Sequence, residues 1–359
     1  MNKIKISGIN FYREDFIGED MPSFFTSSDF HKQIYLFLKE WFSKDETIRL
    51  YTSGSTGKPK EIIVRKKQML ESASMTCKFF GLKENDKALL CLSVDYIAGK
   101  MMLVRAIYCG LDIYPVEPKG HPLKEISMSF DFAAMVPLQV YNSLQNENER
   151  IKLSQVRNLI IGGGAINKEL EEELRLFPNS VYSTYGMTET VSHIGLRKIN
   201  GEDATDYYIP LSGVKLKLSD NKTLVIDAPE IADDTLITND IAEIRNDGSF
   251  RIIGRIDNII NTGGIKVQAE EVEDILKPFM KGSYAISSIP HSKLGEAIVL
   301  LVDNIEDQQQ SEEFIKTVPR YHQPMYIIKV KDIPLTRSGK IDRIAVKKIA
   351  KIMTQLYKK

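Results

Sequence analysis

Five strings in this chain gather residue types that could handle a charged ligand. The first, Tyr51-Thr52-Ser53-Gly54-Ser55-Thr56-Gly57-Lys58-Pro59-Lys60, packs four aliphatic hydroxyls, two glycines and two lysines into ten residues. Glycines let the backbone come close, N–H and hydroxyl groups donate, and lysines bring charge, so the string suits a polyanion. It is not a Walker A loop, which has four residues between its glycines and Ser or Thr after the lysine. Here two residues separate Gly54 from Gly57, and Pro59 follows Lys58. The second string, Tyr185-Gly186-Met187-Thr188-Glu189-Thr190, offers a ring to stack, a glycine for close approach, a hydroxyl for a phosphate and a carboxylate for Mg²⁺. The third, Thr238-Asn239-Asp240, is a carboxylate after an apolar segment, in a combination also common in turns. The fourth, Gly254-Arg255-Ile256-Asp257-Asn258, runs into Asn261-Thr262-Gly263-Gly264-Ile265-Lys266. It reads as a flexible junction carrying ligand-binding charge, placed where composition shifts, as a hinge would be. The fifth, Pro334 to Arg343, sets Lys340 on a loop before the last helix. Each has a plainer reading alone: a solvated hairpin, a helix cap at Thr188, a turn, a surface lysine.

The elements around these strings follow from periodicity. Apolar runs, Ile48 to Tyr51 and Glu61 to Val64, make the first string the loop of a hairpin. Phe30 to Phe42 has helical spacing inside a mixed lead-in over residues 1–47. Lys66 to Phe80 reads as a helix ended by Gly81, and Ala98 to Tyr108 as one stopped by Gly110. Short apolar strands at 88–92, 111–116, 132–136, 158–161 and 181–184 alternate with helices, including 138–144 and 168–177. That pattern indicates a parallel sheet covered on both faces. The second string follows the 181–184 strand, and Gly162-Gly163-Gly164 follows the 158–161 strand, so both sit at carboxyl ends where such sheets bind ligands. After about residue 205, runs at 214–218 and 223–226 separated by Asp220-Asn221, then 250–253 after Asn246-Asp247-Gly248, give an antiparallel β subdomain. The last hundred residues read as a compact α+β unit: helices at 269–280, 312–318 and 343–357, strands at 297–302 and 325–330.

The five strings, in this order, resemble the adenylate-forming superfamily: acyl- and aryl-CoA synthetases, firefly luciferase and the adenylation domains of peptide synthetases. The resemblance covers roughly residues 48–345. It implies that ATP and a carboxylic acid give an acyl-adenylate and pyrophosphate, which a thiol then captures. By matching position it implies that Thr52, Ser53, Ser55, Thr56, Gly57 and Lys60 cradle the β- and γ-phosphates. Gly163, Gly164 and Ala165 would line the adenine pocket, Tyr185 would stack on adenine with Gly186 beside it, and Thr188 would contact the α-phosphate. Glu189 would help hold Mg²⁺, and Asp240 and Arg255 would bind the ribose hydroxyls. Asp257 matches the hinge, Gly263 and Gly264 the passage for the pantetheine arm of CoA, and Lys340 the lysine that bridges carboxylate and α-phosphate. The chemistry needs such groups, because two anions must meet and pyrophosphate must be held as it leaves. The implied fold class is α/β: a large N-terminal domain over 1–256, with parallel sheet, flanking helices and a β subdomain, and a small mobile α+β lid over 257–359.

Two features resemble the o-succinylbenzoate–CoA ligases of menaquinone biosynthesis, particularly short bacterial forms. Val191-Ser192-His193 directly follows the Thr-Glu-Thr element, and Leu92 to Lys100 stands where many members carry an aromatic-His segment. By that analogy Tyr96, Ser192 and His193 lie near the acid; His193 has the alternative of a structural hydrogen bond behind the site. Arg105, on an apolar helix, either meets a second carboxylate or lies at the helix surface. Two departures stand out. Tyr96 occupies the usual His position, which puts any gating by that His in doubt, and the phosphate loop begins at Tyr51, so an N-terminal subdomain is expected to be reduced or missing. Other readings are a ligase for another aryl or acyl acid, a stand-alone domain loading a carrier protein, and an inactive nucleotide-binding regulator. The retained Lys60, Glu189, Asp240, Arg255 and Lys340 argue against the last, and free CoA is favoured because no carrier segment follows residue 359.

Bulk composition narrows the rest. With 359 residues, 43% of them hydrophobic, the chain can bury a large core in two domains or three. Lys+Arg and Asp+Glu are both 48, so nothing global draws the chain to nucleic acid or an anionic membrane. Cys77, Cys91 and Cys109 lie in apolar segments without metal-like spacing, as expected of free thiols in a reducing cytoplasm. No signal peptide or membrane span is expected. The partners expected are an acid, ATP and CoA; monomer and homodimer both stay open.

Overall fold

The computed structural model describes residues 2–51, 61–164, 166–304, 315–336 and 341–357. Its largest element is a nine-stranded sheet. In spatial order the strands are Ile209–Pro210, His193–Lys198, Ser180–Gly186, Asn158–Ile161, Phe132–Met135, Lys87–Leu90, Asp112–Pro115, Lys3–Ile6 and Ile9–Tyr12. The six from Ser180–Gly186 to Lys3–Ile6 are parallel, and the outer ones run antiparallel to their neighbours.

Alternation along these strands sorts the core into two layers, as a period of two requires. Ala88, Leu90, Phe132, Ala134 and Ile160 pack beneath helices Asp29–Phe42, Lys66–Phe80 and Ile97–Cys109. Leu89, Cys91, Ala133, Met135, Leu159 and Ile161 pack against helices Pro137–Leu144, Glu147–Ser154 and Lys168–Arg175. Thus the sheet is covered on both faces, which is what its near-continuous apolar strands indicated. The hairpin Thr47–Tyr51 and Glu61–Arg65 pairs antiparallel up to Tyr51 opposite Glu61, at the base of the loop. The loop itself, 52–60, is outside the described residues.

An antiparallel four-stranded sheet follows, Lys215–Leu218, Thr223–Asp227, Leu236–Ile244 and Phe250–Arg255. Beyond a 3-10 turn at Ile256–Asn258 comes a five-stranded sheet: Ile259–Thr262, Ile265–Gln268, Tyr284–His291, Gly295–Val302 and Tyr326–Lys329. Here too alternation assigns the faces. Ile286, Ile298 and Leu300 meet Val272 and Leu276 of helix Ala269–Leu276, while Ala285, Val299 and Leu301 meet Val346 and Ala350 of helix Arg343–Tyr357.

Several elements differ from expectation. The lead-in is part of the main sheet: Lys3–Ile6 adds in parallel to Asp112–Pro115. Its Lys-Ile-Lys-Ile alternation was the signal. The helix expected over 269–280 stops at Leu276 and tightens into a 3-10 turn over Lys277–Phe279, because Pro278 has no N–H to continue it. Strands Tyr284–His291 and His193–Lys198 and helix Glu147–Ser154 were not anticipated. The helix expected over 312–318 falls partly outside the described residues. Gly263-Gly264 is not a loose junction but a two-residue hairpin turn: φ is +57° and +82°, and Thr262 pairs with Ile265. Positive φ at both central positions is the type I′ preference that selects Gly-Gly. All three cysteines are free thiols; Cys77 and Cys91 are buried and Cys109 half-buried. No described helix is long and apolar enough to cross a membrane.

Candidate active site

The site grows from the carboxyl ends of two adjacent parallel strands. Asn158–Ile161 runs into Gly162, Gly163 and Gly164, and Ser180–Gly186 ends on Tyr185 and Gly186. Ala165 lies outside the described residues, as do Thr52, Ser53, Ser55, Thr56, Gly57, Lys60 and Lys340.

Tyr185 is held from two directions. Its ring packs edge-on to Phe250 at 5.3 Å and beside Tyr208 at 5.9 Å. Its hydroxyl donates to Asp240 Oδ2 at 2.6 Å. Burial, then the Asp240 charge, raises the Tyr185 pKa, so it stays a donor. Asp240 faces Arg255 across the Leu236–Ile244 and Phe250–Arg255 pair, beside a bulge in that ladder. Arg255 Nη1 donates to Asp240 Oδ1 at 2.8 Å and Nη2 to Asp257 Oδ2 at 3.0 Å. Burial works against the Arg255 charge, but Asp240 and Asp257 outweigh it and raise its pKa. Asn239 Nδ2 also donates to Asp257, at 3.1 Å to Oδ2. The third and fourth strings are thus one charge network, with Tyr185 at its edge.

The turn after Gly186 carries the remaining described candidates. Thr188–Thr190 forms a 3-10 turn, and His193 begins the next strand, opposite Gly186. Gly186 is required there: a Cβ would lie 2.4 Å from Ser192 O and 2.5 Å from His193 Cα. His193 is buried, with Nε2 3.1 Å from Thr76 Oγ1 and Nδ1 3.4 Å from Ser192 Oγ. Burial, then the nearby Arg105 charge, holds its pKa well below the usual imidazole value, so it is neutral near pH 7. Tyr96 is 47% exposed and precedes helix Ile97–Cys109.

Arg105 is the unexpected member. The helix-surface alternative fails: Arg105 is 2% exposed. Its Nη2 donates to Ser192 Oγ at 2.7 Å, its Nη1 reaches Met102 Sδ at 3.7 Å, and its Nε has no partner. Among the described residues no carboxylate pairs with it. Burial pushes its pKa down to about 10. A desolvated cation without a counter-charge is costly, and this one sits beside Ser192 and His193. Thr76 was missed in the sequence, and Asn239 and Thr190 stood in their strings without a role, because these roles depend on partners distant in the chain or on a backbone turn.

No group of three or more His, Cys, Asp or Glu suited to a metal occurs among the described residues. A lone Glu189 fits a Mg²⁺ that arrives with a polyphosphate, since that ion takes one or two carboxylates, phosphate oxygens and water.

A family model described as AMP-binding enzyme matches residues 23–230. The 2-succinylbenzoate–CoA ligase of Listeria monocytogenes is 24% identical over 86% of this chain, which covers 71% of that ligase. For the ligase of the same name from Escherichia coli the identity is 26%, over 76% of this chain and 62% of that one. Among solved structures, an acyl-CoA synthetase (AMP-forming)/AMP-acid ligase II-like protein from Dyadobacter fermentans is 33% identical. That match covers 89% of this chain and 94% of the other, with a TM-score of 0.63. The o-succinylbenzoate CoA synthetase of Bacillus subtilis, in complex with ATP and magnesium, shares the fold at a TM-score of 0.68 and 20% identity, over 82% of this chain and 68% of that one.

Proposed function

This chain belongs to the AMP-binding enzyme family, and from that premise we infer that it is an AMP-forming acid–CoA ligase whose acid carries two carboxylates, with 2-succinylbenzoate the first candidate. The observation that carries the reading is Arg105: a buried guanidinium beside Ser192 and His193, without a carboxylate partner among the described residues. A second carboxylate on the substrate would supply the missing charge. The ligases from Listeria monocytogenes and Escherichia coli carry 2-succinylbenzoate in their names, which supports the same acid.

In this reading a carboxylate oxygen attacks the α-phosphate of ATP and pyrophosphate leaves. A thiol then attacks the acyl carbon and AMP leaves. Glu189 would hold a Mg²⁺ that accompanies ATP, and that ion would supply neutralisation of phosphate charge. Thr52, Ser53, Ser55, Thr56, Gly57 and Lys60 grip the leaving end, and Thr188 and Glu189 take the α-phosphate side. Gly163, Gly164, Ala165 and Gly186 leave room for adenine, which stacks on Tyr185. Asp240 and Arg255 exchange their mutual bond for the ribose hydroxyls. Ser192 with neutral His193, and Tyr96 at the start of the helix that carries Arg105, shape the acid side. Residues 257–359 act as the lid, turning at Asp257, and bring Lys340 to the reacting carboxylate in the first step. The Gly263-Gly264 turn offers a side-chain-free edge for the pantetheine arm in the second.

The test is ATP–pyrophosphate exchange with 2-succinylbenzoate, benzoate, a fatty acid and amino acids, followed by product analysis with CoA. Exchange with 2-succinylbenzoate and formation of its CoA thioester is the expected result. Exchange with an amino acid and none with 2-succinylbenzoate favours carrier loading, and no exchange at all favours an inactive regulator; either overturns the reading.

A further inference from the structure

Between Thr188 and Ser192 the chain reverses sharply at Val191, whose φ is 64° and ψ −48°. The Ser192 amide closes this reversal on the Thr190 carbonyl at 2.6 Å. A three-residue turn with positive φ at its centre is rare and strained, and a β-branched residue is poorly suited to it. Val191 is fully buried, so neither solvent nor a free side chain explains the conformation. Strain of this kind persists only where the surroundings over-determine it.

The surroundings are the Thr190 side chain. The Met187 amide donates to Thr190 Oγ1 at 3.0 Å. The hydroxyl lies 3.0 Å from Met187 O and 2.8 Å from Ser192 O, and one of the two accepts its proton. Thr190 is itself fully buried. Met187 O already accepts from the Thr190 amide at 3.2 Å, so the proton belongs to the shorter contact with Ser192 O, and a single hydroxyl ties the residue before the 3-10 turn to the residue after the strained one.

Both flanks of this tie carry groups that the ligase reading uses. Thr188 and Glu189 stand on one side; Ser192, which accepts from Arg105, and His193 stand on the other. We propose that Thr190 is a positioning residue: its hydroxyl holds Val191 in the strained turn, and so fixes the nucleotide-side pair Thr188–Glu189 relative to the acid-side pair Ser192–His193. What the two flanks bind rests on the ligase reading; the hold on the backbone does not. Without the hydroxyl, Val191 relaxes toward negative φ. The Ser192 carbonyl then leaves Gly186, and the two flanks lose their common register.

The hold is read by hydrogen exchange of the 187–193 amides in the full chain, which needs no turnover. Thr190→Val is expected to expose the Met187 and Ser192 amides, with Thr190→Ser close to the parent. In ATP–pyrophosphate exchange, Thr190→Val is expected to lower kcat by about tenfold or more, the scale of leaving a buried donor unpaired. The Mg²⁺ concentration for half-maximal rate should rise with it, and Thr190→Ser should stay within about threefold of the parent. Glycine adopts positive φ without strain, so adding Val191→Gly to Thr190→Val should recover Ser192 protection and rate, while the Met187 amide, whose acceptor was the Thr190 hydroxyl, stays exposed. Should Thr190→Val fail to fold, Val191→Gly is compared with the double variant, and the expected difference is below about threefold. Unchanged amide protection in Thr190→Val, or a double variant no better than Thr190→Val, overturns the proposal. Parent protein that exchanges with no acid, but shows the amide result, counts against the ligase reading and leaves the hold standing.

Discussion

Replacing Arg105 with methionine separates the cost of this residue from its use. The fall of its pKa to about 10 corresponds to about 3 kcal/mol held against the charged form in the folded chain. Its Nε has no partner, and Ser192 is its one close oxygen among the hydrogen bonds described. Exchanging buried ionic groups for apolar ones of similar volume is often stabilising by about 1–4 kcal/mol. Arg105→Met is therefore expected to raise the melting midpoint of the large sheet-bearing unit by a few degrees, at about 2–4 °C per kcal/mol for a domain of 150–250 residues. The opposite is expected for catalysis. Removing the cation from a buried pair with a substrate carboxylate costs about 2–5 kcal/mol, much of it for the carboxylate left unpaired, so kcat/KM for 2-succinylbenzoate should fall by about 30-fold to several thousand-fold. For benzoate, which has no second carboxylate, the change should stay below about threefold. The assay is ATP–pyrophosphate exchange with both acids on the same preparations, beside thermal unfolding. A lower melting midpoint together with equal losses for both acids would refute the reasoning and make Arg105 a structural residue.

Three further outcomes follow from the same geometry. His193 has a folded pKa below its unfolded 6.5, so the unfolded chain binds the extra proton between those values. Its contribution to stability is complete above about pH 6.5 and is lost as pH falls through that value toward the folded pKa; His193→Asn should flatten the melting midpoint between about pH 7.5 and 5.5. Tyr185→Phe removes the donor to Asp240, and KM for ATP should rise by about three- to tenfold with little change in kcat, the scale of one hydrogen bond; an unchanged KM would count against the nucleotide assignment. Lys340→Ala should abolish adenylation yet spare thioester formation from a supplied acyl-adenylate, and equal loss of both half-reactions would remove the lid lysine from the account.

Much of the fold was legible because its cues are local. Apolar runs such as Ala88 to Leu92 and Asn158 to Ile161 are buried on both faces, and the helices before and after the first of them close at Gly81 and Gly110. Lys3–Ile6 was passed over although its alternation is clear, because its partner Asp112–Pro115 lies a hundred residues away. Gly263-Gly264 read as slack and is a tight turn, since composition alone does not distinguish the two. The site divides in the same way. Tyr185, Asp240 and Arg255 could be picked out one by one, but their bonding to each other could not. For Arg105 the residue type was ambiguous until burial removed the surface alternative. Thr190 looked like one more hydroxyl in a polar string, because backbone strain leaves no mark on residue identity.

Isotope transfer tests the central claim most directly. Adenylation makes a carboxylate oxygen of the acid the bridge to the α-phosphate, and capture by CoA leaves that oxygen on AMP. With ¹⁸O in both carboxylates of 2-succinylbenzoate, mass spectrometry of the products should find one labelled oxygen in AMP and none in pyrophosphate. Formation of ADP and phosphate, or AMP that carries no label, would contradict the account.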